Sequence, residues 1–347
     1  MRRRHLLRSA TATAAAIAAP VLGPSRGRAQ ALEKVSIGVL KLASSGPLFI
    51  AMARGHFRAQ GLEVEPKYFT AAAQVPVAVT SGDADFGVTG LTAGFYNLAG
   101  RGALKMIAGQ SREEPGFQLN AYMATAKAWE EGLRDLKAYA GKRIAITTTG
   151  STFHYSLGLL ARKYGFDMAS VTMVGLQQLP AMAAAFKGNQ VEGIVIPVTL
   201  ARQLEAEAGG RILGWVGDET PWQLGALFTS PKAIDQRRAT VEKFTRAWAM
   251  GCADYHAAFN ARDAQGRPAK GPGYDELLDV LAKAVEQPAA RVADGLPFVD
   301  PQARLDVGDI HSQVAFWSAE KQLRGEVDAK AIVETSFVAG HFNIPRG

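Results

Sequence analysis

The chain runs through one order of elements twice, and that repeat constrains its fold more than any other feature. Residues 80–90, TSGDADFGVTG, close a helix on a glycine, turn, and enter a short apolar strand; residues 187–197, KGNQVEGIVIP, do the same. The first copy is preceded by the strand VSIGV (35–39), a polar turn Ser44-Ser45-Gly46-Pro47, a helix to Gly55, the strand LEVEPKYF (62–69) and a helix to Gly82. The second is preceded by RIAITT, the turn Thr149-Gly150-Ser151-Thr152, a helix ending in Tyr164-Gly165-Phe166, the strand VTMVGL (171–176) and a helix to Gly188. Strand and helix alternating in this way predict a mostly parallel sheet covered by helices on both faces. Gly55, Gly82, Gly165 and Gly188 each follow a helix, where the left-handed conformation that ends it penalises a Cβ. The expectation is two similar α/β lobes.

The rest of the chain predicts that one lobe is inserted into the other. RILGWVG (211–217) and LGALFTS (224–230) are strand-like and bracket Asp218-Glu219-Thr220-Pro221-Trp222. From Pro231 onward the pattern is helical, with apolar residues at three- and four-residue spacing in TVEKFTRAWAMGCADYHAAF, and no new sheet is expected. Lobe 1 is therefore residues 32–120 and 226–347, and lobe 2 is residues 121–225. Two crossings, near 118–125 and 218–226, would act as a hinge. A chain of 347 residues with 48% hydrophobic content can give each lobe its own core.

The net charge of +7 comes from one end. Arg2, Arg3, Arg4, Arg8, Arg26 and Arg28 lie in the first 31 residues, which contain no acid, so the excess elsewhere is a single charge. The balance gives no reason to expect a nucleic-acid partner. RRRHLLRSATATAAAIAAPVLGPSRGRAQA has a basic start, a modest apolar run and the ending Ala29-Gln30-Ala31. It reads as a cleaved export signal over residues 1–31, and Arg3-Arg4-His5-Leu6-Leu7-Arg8 resembles the twin-arginine pattern. No cysteine stands near the cleavage point, so no lipid anchor is expected. The sole cysteine, Cys252, falls in an amphipathic helix and reads as a buried thiol.

The chain contains no Walker loop, dinucleotide fingerprint, H-E-x-x-H or G-x-S-x-G, and its histidines are not spaced as metal ligands. No cofactor is expected. Asp83 and Asp85 read as a solvated turn rather than a carboxylate pair. The chemistry on offer lies in small polar turns after strands, where ligands bind in open α/β sheets. Ser44, Ser45 and Gly46 in lobe 1 and Thr149, Ser151 and Thr152 in lobe 2 each precede a helix, whose first N–H groups and positive dipole end suit an anion. They also suit plain N-capping. Thr89 and Thr92 after one echoed strand, and Pro197 after the other, form a second matched pair. Phe153, Trp222 and Tyr122 are candidate aromatic walls. His154 either donates to an anion or caps its helix, and Arg112 is the candidate cationic contact.

SSGPLFIAMARGHFRAQGLEVE, SGDADFGVTG, DLKAYAGKRIAITTTGSTFHYSLGLLARKYG, AAAFKGNQVEGIVIP and EKFTRAWAMGCADY, in that order, resemble segments of the nitrate/sulfonate/taurine-type solute-binding proteins, the NMT1/THI5-like group. The resemblance implies a two-lobe periplasmic-binding-protein fold of type II with the ligand cleft between lobes. It implies a periplasmic, monomeric component of an ABC importer that captures a small organic anion and passes it to permease and ATPase subunits in the inner membrane. It places the pocket at Ser44, Ser45, Thr89, Thr92, Thr149, Ser151 and Thr152 and the crossing near Trp222. Two departures stand out: Ile196 precedes Pro197 where many relatives carry an acid, and SREEPGFQLN (111–120) has no counterpart. The same group includes a pyrimidine-forming enzyme with a cysteine-rich iron segment, which a single cysteine does not match. A periplasmic sensing subunit is the other alternative.

Overall fold

The computed structural model describes residues 31–343. The expected export signal lies outside them except for its last residue. The chain lays down β1 (Glu33–Leu40), α1 (Gly46–Ala53), β2 (Leu62–Phe69), α2 (Gln74–Ser81), β3 (Phe86–Gly90), α3 (Ala93–Gly100) and β4 (Lys105–Gly109). It then crosses through β5 (Ser111–Arg112) and builds β6 (Asn120–Ala124), β7 (Arg143–Ile146), α4 (Thr152–Tyr164), β8 (Thr172–Gly175), α5 (Leu179–Lys187), β9 (Gly193–Pro197), α6 (Val198–Ala208) and β10 (Arg211–Trp215). Beyond the second crossing come β11 (Gly225–Thr229), α7 (Arg238–Phe259), α8 (Tyr274–Val285), β12 (Phe298–Val299) and α9 (Val307–Ala319).

Two five-stranded sheets result, ordered β2-β1-β3-β11-β4 and β10-β6-β9-β7-β8. They have one design. In the first, β1 is parallel to β2 and β3, while β11 runs against both β3 and β4. In the second, β7 is parallel to β8 and β9, while β6 runs against both β9 and β10. Each opposed strand is the one that enters directly from a crossing, so the two lobes exchange direction through β6 and β11. Parallel pairing forces a helix between successive strands, and every such helix starts where a strand ends. All these helix starts therefore lie on one side of each sheet.

Helices α7 and α8 cover lobe 1 by packing on α1. Phe244 stacks on Phe86 with ring centroids 3.9 Å apart, and Cys252 is fully buried among them, its thiol pushed up by that burial. Three expectations need correction. Asp85 is not simply solvated: its carboxylate accepts from Ser36 N–H at 2.8 Å and from Arg237 at 2.6 Å, pinning β1 to the start of α7. Gly55, Gly82 and Gly165 are left-handed, but Gly188 has φ −81° and the positive φ falls on Asn189. The tail does add strand pairing, since β12 pairs with β5 and ties the tail to the first crossing.

Helix α9 reaches both lobes. Its Gln313 donates to the Gln223 carbonyl at 2.8 Å and accepts from Tyr96 of α3 at 2.9 Å. Asp309 accepts from Gln223 N–H at 2.8 Å. Phe316 and Trp317 pack edge-on against His154 and Phe316 against Tyr155 of α4. One apolar core thus continues from α3 through Trp222 and Trp317 into lobe 2.

Candidate ligand-binding site

Between the lobes lies a cavity of about 370 Å³, within the usual range for small-ligand pockets. Six helix starts converge on it, three from each lobe. Lobe 1 contributes Ser44 and Ser45 before α1, Ala73 and Gln74 at α2, and Thr92 before α3. Lobe 2 contributes Ser151 and Thr152 at α4, Gln178 and Leu179 at α5, and Pro197 and Val198 at α6. Thr92 and Ser151 cap their own helices, accepting from Phe95 N–H and His154 N–H. The first turns of α1, α2, α5 and α6 have no side-chain cap. The Gly46, Gln74, Val75 and Val198 N–H groups already bond the Ala43, Ala71, Ala72 and Leu119 carbonyls, so what these helices present to the cavity is chiefly the positive end of the dipole.

No residue lining the cavity carries a charged side chain; its polar groups are hydroxyls of Ser and Thr and amides of Asn and Gln. Leu40, Leu42, Val88, Leu119, Phe153, Leu179 and Leu224 supply the apolar wall. The lobes also touch directly: Ala93 N–H donates to the Gly150 carbonyl at 2.9 Å, and Gly90 lies against Thr152.

Of the residues singled out from sequence, Ser44, Ser45, Thr89, Thr92, Ser151, Thr152, Phe153 and Pro197 line the cavity. The other six do not. Gly46 is buried at the start of α1, where a Cβ would lie 2.6 Å from Tyr255 Cε2. Thr149 is exposed. Trp222 is fully buried against Tyr155, with ring centroids 4.7 Å apart. The Nδ1 of His154 accepts from Gly150 N–H at 3.0 Å, so the ring holds the turn, and burial lowers its pKa to about 4, leaving it neutral. Arg112 is buried beside Glu114 at 2.9 Å, with its guanidinium over the rings of Phe298 and Phe342. Tyr122 is likewise interior, its hydroxyl donating to the Ser156 carbonyl.

Two amides on the cavity floor were not anticipated. Gln110 follows β4, and its Nε2 donates to the Ser44 carbonyl at 2.9 Å, fixing the turn before α1. Asn120 opens β6, and its Nδ2 donates to Glu113 Oε1 at 2.5 Å. Glu113 sits fully buried in the first crossing, where its backbone exchanges hydrogen bonds with Trp222 of the second. Burial above all pushes its carboxyl up to about 8. The signal that could have found both amides is a single polar residue at the cavity end of an apolar strand, as in KMIAGQ and NAYMA.

The model of the NMT1-like family matches residues 28–265. The chain belongs to this family. No curated protein matches it in sequence. Among solved structures, the alkanesulfonate-binding protein SsuA from Xanthomonas axonopodis pv. citri, bound to MOPS, superposes with a TM-score of 0.69 at 20% identity, covering 87% of this chain and 98% of that one. The ligand-binding component of an ABC-type import system from Staphylococcus aureus, with zinc bound, gives 0.69 at 14% identity, covering 88% and 97%. The desulfurization enzyme DSZB gives 0.59 at 12% identity, covering 88% and 97%. These likenesses establish the two-lobed periplasmic-binding-protein fold for this NMT1-like chain. Among the described residues no helix is long and apolar enough to cross a membrane.

Proposed function

We propose that this protein is the solute-binding component of an ABC importer and that its lobes close on a small organic anion. The convergence of six helix starts on a cavity lined by no charged side chain carries this reading. An anion there meets the positive ends of helix dipoles and the hydroxyls of Ser and Thr residues at the helix starts. A cationic solute would meet the same dipole ends with no carboxylate to receive it. The apolar wall favours an organic body over a bare inorganic ion.

Binding rather than turnover fits the lining, which offers no titratable side chain; a Ser or Thr nucleophile needs a base within reach, and His154 faces away into the turn it holds. In this reading residues 32–120 and 226–347 form one lobe and 121–225 the other. Residues 1–31 direct export to the periplasm through the twin-arginine route, and the monomer delivers its solute to a permease driven by an ATPase. The neighbour from an ABC-type import system supports that assignment.

Thermal unfolding of the mature protein against alkanesulfonates, aliphatic carboxylates and aromatic acids tests it. A ligand at about 100 times its Kd stabilises by about 2.7 kcal/mol, a rise of several degrees in Tm. A panel in which no anion raises the Tm sinks the ligand class.

A further inference from the structure

Asn120 is a polar side chain in the cleft whose amide the fold ties at one end. It is 5% exposed, lines the cavity, and commits Nδ2 to Glu113 Oε1. Backbone N–H groups of Asn120 and Gly217 also lie toward the same carboxyl and oppose the effect of its burial. With the carboxyl's proton on Oε2, or with the carboxyl ionised, flipping the amide would set Oδ1 against Oε1, two acceptors at the 2.5 Å now spanned by a hydrogen bond. Asn120 thus has one end tied, and its carbonyl oxygen is the end left for the cavity. Glu113 cannot readily turn away, because the bridge to Trp222 fixes its backbone between the two crossings.

We propose that Glu113 is a positioning residue that holds Asn120 with its amide carbonyl toward the cleft, so that the bound solute is one offering an N–H or O–H donor at that point. This deepens the anion-binding reading and rests on it. The solute is bipolar in hydrogen-bonding terms. Its anionic group takes the donors of the helix starts, and a hydroxyl, amide or ring N–H meets Asn120. A solute without that donor leaves a buried carbonyl oxygen unpaired, at a cost that corresponds to about tenfold in affinity.

The test uses matched probes of similar size that differ in the donor: 3-hydroxybenzoate against 3-methylbenzoate, and 2-hydroxyethanesulfonate against propanesulfonate. Binding to the full mature protein is measured by calorimetry. The expected result is that the hydroxyl member of at least one pair binds about tenfold more tightly than its partner. Asn120→Ala should abolish that preference, Glu113→Leu should reduce it by freeing the amide, and Glu113→Gln should preserve it, because the new amide oxygen still accepts from Nδ2. A purely structural role for Glu113 would move both members of a pair together and leave their ratio alone. If Glu113→Leu does not fold, Asn120→Ala and Glu113→Gln decide the matter. Equal binding of both members overturns the inference but keeps the anion reading. A preference that survives Asn120→Ala or is lost in Glu113→Gln also overturns it. No binding by any of the four overturns both.

Discussion

At the scale of single residues, Glu113 gives the clearest pH signature. Its carboxyl rises from an ordinary 4.5 to about 8 on folding, chiefly through burial, with Asp218 adding repulsion. The folded protein keeps a proton that the unfolded chain loses between those values. The neutral carboxyl costs nothing extra below pH 4.5; stability then falls as pH rises and levels off above about 8. Glu113→Gln removes this dependence. The difference in Tm, variant minus wild type, should be near zero at pH 5 and reach several degrees by pH 9, at about 2 °C per kcal/mol for a chain of this size. A constant difference across that range would mean the carboxyl is not held neutral. None of this was legible in SREEPGFQLN, because burial of Glu113 depends on Trp222, more than a hundred positions away. The same holds for Asp85, read from its turn as solvated: the partners that claim it, Ser36 and Arg237, are remote in sequence. Local grammar reads what local backbone decides, such as the Ser and Thr at helix starts, which do line the cavity. Trp222, His154 and Arg112 were singled out by residue type, and packing turned each inward.

At the scale of elements, repetition was informative because a parallel sheet imposes its own order. Strand, polar turn and helix must alternate, so an echoed order implies an echoed sheet. The reach of α9 was not legible in the same way. Its apolar positions announce a buried face but not which elements meet it. That face meets α4, where Phe316 occupies the space a Cβ at Gly158 would take. Phe316→Ala should cost about 3 kcal/mol, and Gly158→Ala about 1–3 kcal/mol by overpacking. The double variant should cost less than their sum by at least about 1 kcal/mol, since removing the ring makes room for the methyl. Urea unfolding of the four proteins measures this coupling, and strict additivity would show that the two elements do not bear on each other.

At the scale of the whole molecule, the question is how two lobes close while sharing a core. The packing of α9 on α4 and the bridge between Glu113 and Trp222 lie with the crossings, whereas Gly90 meets Thr152 with no more than a methyl group. Rotation about the crossings would open the cleft, and closing it would bring the helix starts of both lobes to one solute. Gly90 is where this is most readily blocked. It ends β3 on the cavity wall, and a Cβ there would lie 2.8 Å from Thr152 Cγ2 of the other lobe. Gly90→Val suits the strand and places a wedge between the lobes. Small-angle scattering should show a larger radius of gyration for the variant in the presence of a ligand that compacts the wild type. Affinity for that ligand should drop at least about tenfold, because only one lobe's donors remain in reach. The Tm without ligand should change by no more than about 2 °C, since the cores of both lobes are untouched. Unchanged compaction and affinity would show that the contact of Gly90 with Thr152 plays no part in closure.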